Sequence, residues 1–243
     1  MKIRAVVFDW AGTVVDYGCN APPAVLHRIF ADRGVDLEPA EARHAMGLLK
    51  VDQIREITRI PRVRQAWRGA NGSEPGEVEV QELFRSFIPL QMDLIEEYAT
   101  VIEGVPELVE KLRSAGIRIG STTGYTRPML DRILPAAAKQ GYVPDCIVTP
   151  DAVGAGRPKP WMIFENLKML DVYPPSACIK IGDTVSDVEE AINAGLIPWG
   201  VSDSSNEAVL EGPEHARRLL TEAGALRVLP TVASIWDALE ELR

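Results

Sequence analysis

Apolar residues along this chain follow two rhythms. Short runs that are apolar at nearly every position fall near residues 3–9, 117–122, 146–149, 178–182 and 197–201, with a weaker one near 226–230. Such runs suit strands of a parallel sheet covered on both faces, where neither side of a strand meets water. Between them the apolar positions recur at helical spacing. In VPELVEKLRSAG (105–116), Val105, Leu108 and Leu112 share one face and Gly116 offers a stop. Pro160 to Leu170 and Ser186 to Ala194 follow the same rule. Strand and helix in alternation predict an α/β fold, a doubly wound parallel sheet with its ligand site at the C-terminal ends of the strands.

The alternation breaks once. From about residue 19 to 98 there is no convincing strand pattern. Three helical stretches fill the interval: APPAVLHRIFADRG, EPAEARHAMGLLKVDQIREITR and VEVQELFRSFIPLQMDLIEEYA. The polar loop RGANGSEPGE (68–77) separates the last two. The expected organisation is a core domain of residues 1–18 and 99–243. An all-helical cap, residues 19–98, is inserted after the first strand and returns through YATVIEGVP (98–106).

Composition narrows the function classes. At 243 residues and 46% apolar, the chain has enough material for a real core. Its formal charge of −9 disfavours nucleic acid and anionic membranes as partners, yet leaves room for a small anion in a local positive pocket. Cys19, Cys146 and Cys178 are too few and too scattered for a disulfide framework or a zinc site, which fits a reducing cytoplasm. Asp9 and Trp10 interrupt the apolar run that a secretion signal would need, and no stretch approaches the roughly 18 apolar residues of a membrane span. The expectation is a soluble cytoplasmic protein.

Four fragments at strand ends carry candidate chemistry: Asp9 in FDWAGT, Thr122-Thr123-Gly124 in GSTTGY, Arg157 in GRPKPW, and Asp183 with Asp187 in GDTVSD. Alone, each has a bland reading as a turn, cap or surface residue. Together they supply a nucleophilic carboxylate, hydroxyl and backbone donors, a cation and further acids, a set suited to phosphoryl transfer. Mg²⁺ prefers oxygen ligands, so Asp9 and Asp183 are its candidate holders, with Arg157 offsetting charge at phosphorus. Rival phosphate-binding and nucleophile-elbow motifs are absent from the sequence.

The series FDWAGT, STTGYT, GRPKP and GDTVSD resembles the haloacid dehalogenase superfamily, aspartate-nucleophile enzymes with a helical cap after the first strand. Phosphatases of that superfamily carry a second acid two positions beyond the nucleophile, which protonates the departing alkoxide. Here that position is Ala11, which has no proton to give. Cleavage of a P–C bond poses a different problem, because a departing carbanion needs an electron sink. A lysine that forms a Schiff base with a neighbouring aldehyde provides one. Lys50, behind the apolar Met46-Gly47-Leu48-Leu49, is the candidate, although a lone helix lysine is more commonly solvated.

DWAGT together with MGLLK is similar to one family in particular, phosphonoacetaldehyde hydrolase. The resemblance implies Mg²⁺-dependent conversion of phosphonoacetaldehyde and water to acetaldehyde and phosphate. It implies Asp9 as nucleophile and metal ligand, Ala11 as a ligand through its carbonyl, Asp183 as the remaining protein ligand, and Asp187 as support for the metal site. Lys50 would form the Schiff base. Thr123, Gly124 and Arg157 would hold the phosphoryl group, while Met46, Cys19 and Tyr125 line the cap–core interface. A homodimer joined through the caps is implied too. One departure stands out: the family usually has a histidine three residues after the lysine, and this chain has Gln53. An amide cannot exchange protons near neutral pH, and His44 lies more than one helical turn before Lys50. Three alternatives stay open: a related hydrolase with another carbonyl phosphonate, an ordinary phosphomonoester phosphatase, and a noncatalytic binding protein.

Overall fold

The computed structural model describes residues 2–242. Its six strands are β1 (Ala5–Phe8), β2 (Arg118–Thr122), β3 (Cys146–Val148), β4 (Cys178–Gly182), β5 (Ile197–Val201) and β6 (Arg227–Leu229). They form one parallel sheet in the order β3-β2-β1-β4-β5-β6. Every apolar run therefore became a strand, including the weak one. Helices α1 (Ala21–Ala31), α2 (Pro39–Ala42), α3 (Lys50–Arg59), α4 (Pro61–Asn71) and α5 (Glu77–Leu94) lie between β1 and β2 in sequence. The remaining helices are α6 (Val105–Ser114), α7 (Arg127–Lys139), α8 (Pro150–Val153), α9 (Trp161–Met169), α10 (Val185–Ala194), α11 (Asn206–Glu211), α12 (Pro213–Glu222) and α13 (Ile235–Glu240).

The sheet is buried on both faces because successive side chains of a strand point to opposite sides. From β1, Val6 and Phe8 enter the larger apolar cluster with Leu108, Leu112, Met129 and Ile133 of α6 and α7. Ala5 and Val7 enter a second cluster with Ile163 and Leu167 of α9 and Ala191 and Ala194 of α10. Strands with helices on either side explain why the runs read as continuously apolar.

Two expectations for the helical interval need correcting. The stretch EPAEARHAMGLLKVDQIREITR is not one helix: it stops at Ala42 and restarts at Lys50. Ala45 at φ 55° and Gly47 at φ 91° adopt left-handed backbone, which ends the helix whatever the apolar periodicity says. The stretch PRVRQAWRGAN, by contrast, is helical although it carried only a polar-loop reading over its last residues. It begins with Pro at a first-turn position, buries Val63 and Trp67 four residues apart, and ends at Gly72 with φ 76°. The loop shrinks to residues 72–76.

The two connections that leave and re-enter the sheet beside β1 run together. Ile102 donates to the Val14 carbonyl at 2.9 Å and Asp16 to the Thr100 carbonyl at 3.0 Å. Asp16 then accepts from the backbone N–H of Asn20 and of Ala21, each at 3.0 Å, and so anchors the start of α1.

Candidate active site

Strand order reverses around β1, whose neighbours β2 and β4 continue the chain in opposite directions across the sheet. The C-terminal ends of these three strands open into the crevice where such folds bind ligands. Asp9 follows β1, Thr123 and Gly124 follow β2, and Asp183 follows β4, with Asp187 one turn into α10. One cleft is lined by Asp9, Ala11, Thr123, Gly124 and Arg157 from the sheet side and by Met46 of the turn before α3 and Lys50 at its start, with Cys19 and Tyr125 also in its wall. Eleven of the twelve singled-out residues thus gather in or directly behind one cleft wall; Gln53, the twelfth, stands behind Lys50.

Asp9, Asp183 and Asp187 are fully buried, and their carboxylate oxygens lie within 4.8 Å of one another. Their surroundings separate their roles. Burial alone would raise the pKa of Asp187, but the Arg157 and Lys180 charges hold it down at about 2. Its Oδ1 accepts from Arg157 Nη1 at 2.5 Å and from Lys180 Nζ at 2.9 Å, and its Oδ2 from the Thr184 hydroxyl at 2.6 Å. Both oxygens are committed, which leaves Asp187 less free than its two neighbours to take a further ligand. Asp183 is pushed well above the usual carboxylate range, first by burial and then by the charges of Asp9 and Asp187. Asp9 is raised by burial despite Arg157 Nη2, which donates to its Oδ1 at 2.8 Å.

Among the described residues Asp183 takes only the Thr13 hydroxyl at 3.2 Å and the Asn206 backbone N–H at 3.4 Å, which leaves lone pairs free. Two buried carboxylates that each resist ionisation beside the other form a donor set for a hard cation. The residues present fit a divalent ion held by Asp9 and Asp183, with the Ala11 carbonyl on the same turn. Gly12 of that turn, at φ 86°, runs against the Asp183 carboxylate, where a side chain would collide.

Lys50 opens α3 and is 7% exposed, which overturns the commoner solvated reading. Burial lowers its pKa to about 8, so free amine is present near neutral pH. Its Nζ donates to Gln53 Oε1 at 2.8 Å. The His44 side chain is exposed and supplies only its backbone carbonyl, to Gln53 Nε2. It does not replace the missing histidine. Burial also pushes the Cys19 thiol and the Tyr125 phenol well above their ordinary values, so both stay neutral and neither is a base.

Sequence reasoning missed several residues that hold this geometry. Lys180 is 1% exposed, donates to Thr122 Oγ1 at 3.0 Å and lies 3.7 Å from Glu190, whose pKa burial raises to about 7. A lone charge in the apolar strand CIKIG was the available signal. Arg43 carried no such signal. Its Nη1 donates to the Gly18 carbonyl at 2.6 Å and to Asn206 Oδ1 at 2.8 Å, and its Nη2 to Asn20 Oδ1 at 2.6 Å. It thereby ties the turn that leads to Lys50 to α11. Gly47 completes the docking, since a Cβ there would stand 2.7 Å from Thr184 Oγ1.

The sequence pattern of haloacid dehalogenase-like hydrolases matches residues 3–195. Phosphonoacetaldehyde hydrolase of Bacillus cereus strain G9842 is 51% identical over 256 residues, spanning 100% of this chain and 97% of its own. The enzyme of the same name from Bacillus cytotoxicus is 46% identical over 254 residues, spanning 99% of this chain and 96% of its own. Among solved structures, a phosphonoacetaldehyde hydrolase-like protein from Oleispira antarctica superposes with a TM-score of 0.95 at 32% identity, over 100% of this chain and 93% of its own. The chain belongs to the haloacid dehalogenase-like hydrolases and, among them, to the phosphonoacetaldehyde hydrolase family.

Proposed function

We propose that the protein hydrolyses phosphonoacetaldehyde to acetaldehyde and phosphate, using Mg²⁺. The observation that carries this reading is a buried amine, Lys50, facing the same cleft as a buried carboxylate, Asp9, with no acid at position 11. Neutral Lys50 attacks the aldehyde carbon, and loss of water leaves a protonated imine. Asp9 then attacks phosphorus. As the P–C bond breaks, its electron pair enters the imine and gives an enamine, so no proton is needed on a leaving oxygen. Enamine protonation at carbon and hydrolysis free acetaldehyde and Lys50, and water cleaves the Asp9 acyl phosphate. One water is consumed overall.

Thr123 and the backbone at Gly124 would donate to phosphoryl oxygens, and Arg157 would offset charge growing there. Mg²⁺, held by Asp9, Asp183 and the Ala11 carbonyl, would supply Lewis-acid stabilisation of that charge. Asp187, fixed by Lys180 and Thr184, aims Arg157. Met46, Cys19 and Tyr125 wall the carbonyl end and exclude water from it. In this reading residues 1–18 and 99–243 form the core and residues 19–98 the cap. The reading extends to a small phosphonate as partner, a homodimer through the caps, and a cytoplasmic setting. No helix among the described residues is long and apolar enough to cross a membrane.

Phosphate release tests the assignment. With Mg²⁺ present, phosphonoacetaldehyde should be preferred over aryl and sugar phosphates by roughly 10²–10⁴-fold in kcat/KM, the range that a general acid contributes to ester cleavage. Equal rates on both classes would point to a phosphatase instead. Metal binding has its own readout. Saturation to about 100 times Kd stabilises by ~2.7 kcal/mol. For a chain of this size, that is a rise of about 5–10 °C in Tm. Asp183→Asn should lose most of that rise, as measured by scanning calorimetry.

A further inference from the structure

Gln53 is fully buried one helical turn beyond Lys50, on the same face of α3. Its amide orientation is fixed by what surrounds it. The His44 backbone carbonyl can only accept, and it lies 3.1 Å from Nε2; Met46 Sδ lies 2.9 Å from the same nitrogen. Oε1 therefore has to face Lys50 Nζ, at 2.8 Å.

We propose that Gln53 is a catalytic residue of the lysine half of the reaction: a fixed, non-ionising acceptor that holds the N–H of the protonated imine through P–C cleavage. This rests on the functional reading above and deepens it. A protonated imine is an electron sink only while its nitrogen keeps the proton. An amide oxygen accepts the N–H bond but is far too weak a base to remove the proton. As Asp9 forms its bond to phosphorus, the P–C pair becomes the C=C bond of the enamine. The C=N pair returns to nitrogen, and the N–H stays in place against Oε1.

The other groups around Lys50 leave this task to Gln53. Arg157 and Asp9 carry charges that act on the amine from the sheet side. Arg157 is engaged with Asp9 and Asp187, and Asp9 is committed to phosphorus. Cys19 and Tyr125, from the segments before α1 and after β2, remain neutral and protonated. On α3 itself, Asp52 is paired with Arg55. None of them offers a second fixed acceptor at Nζ in the hydrogen bonds of the described residues.

The test is Gln53→Met and the isosteric Gln53→Glu, compared with wild type from about pH 6 to 10. It uses phosphonoacetaldehyde turnover and inactivation by borohydride. Gln53→Met removes a hydrogen bond to a charged group and should lower kcat about 10–100-fold, with KM changed far less. Gln53→Glu places a carboxylate against the amine. It should move the lysine limb of kcat/KM upward by about one pH unit or more, an effect that a purely packing role would not produce. A wild-type enzyme that borohydride traps, with unchanged kcat in Gln53→Met or an unmoved limb in Gln53→Glu, overturns this proposal alone. A wild type that is not trapped at all overturns the functional reading and this proposal with it.

Discussion

Lys50→Arg should abolish turnover of phosphonoacetaldehyde and make the protein resistant to borohydride in its presence. A guanidinium keeps the positive charge but stays protonated at any working pH, so it has no lone pair for the aldehyde carbon. The expected loss is at least roughly 10³-fold in kcat, because the electron sink vanishes while phosphoryl binding survives. Mass spectrometry of the reduced wild type should place one two-carbon adduct on Lys50. The pH dependence has a definite sign. Protonation removes the nucleophile, so kcat/KM should fall as pH drops through about 8, the value to which burial lowers this amine. Full activity of Lys50→Arg, with no adduct in wild type, would refute the Schiff-base route.

Asp9→Asn should be as damaging to turnover and harmless to trapping. The amide keeps the shape of the side chain and can still meet Arg157, but it cannot form an acyl phosphate. Loss of a covalent nucleophile costs roughly 10⁴-fold or more. In the proposed sequence imine formation at Lys50 precedes attack on phosphorus, so borohydride with phosphonoacetaldehyde should still label Lys50 in this variant. The pair of variants divides the reaction in two. Asp9→Asn stops after the imine, and Lys50→Arg stops before it. An Asp9→Asn enzyme that still releases phosphate at the wild-type rate would remove Asp9 from the nucleophile's role.

Much of this was legible in the sequence because its signals are local. A strand buried on both faces is apolar at nearly every position, so five strands stood out, and the half-buried edge strand β6 read only weakly. Their C-terminal ends then had to carry the chemistry, which is where Asp9, Thr123, Gly124 and Asp183 lie. The break between α2 and α3 was not legible. Its apolar spacing continues through HAMGLL, and the backbone reversal at Ala45 and Gly47 comes from docking against Thr184 and Leu49 against Gly156, contacts more than a hundred residues away in the chain. Arg43 was hidden for the same reason, since its acceptors include a residue of α11. Lys50 was legible only in combination with Ala11, since its burial depends on that same docking.

The separation of the amine from the carboxylates along the chain bears on how such an enzyme can change its chemistry by descent. In the proposed reaction the groups that meet phosphorus or the metal lie at or beyond strand ends of the sheet, from Asp9 to Asp187, while those that meet the carbonyl nitrogen lie within the single stretch 44–53. A few codons in that stretch alter what leaves phosphorus without disturbing how phosphorus is held. On the proposal above, Gln53 belongs to that stretch, and a substitution there would retune one half of the reaction while the other half is inherited intact.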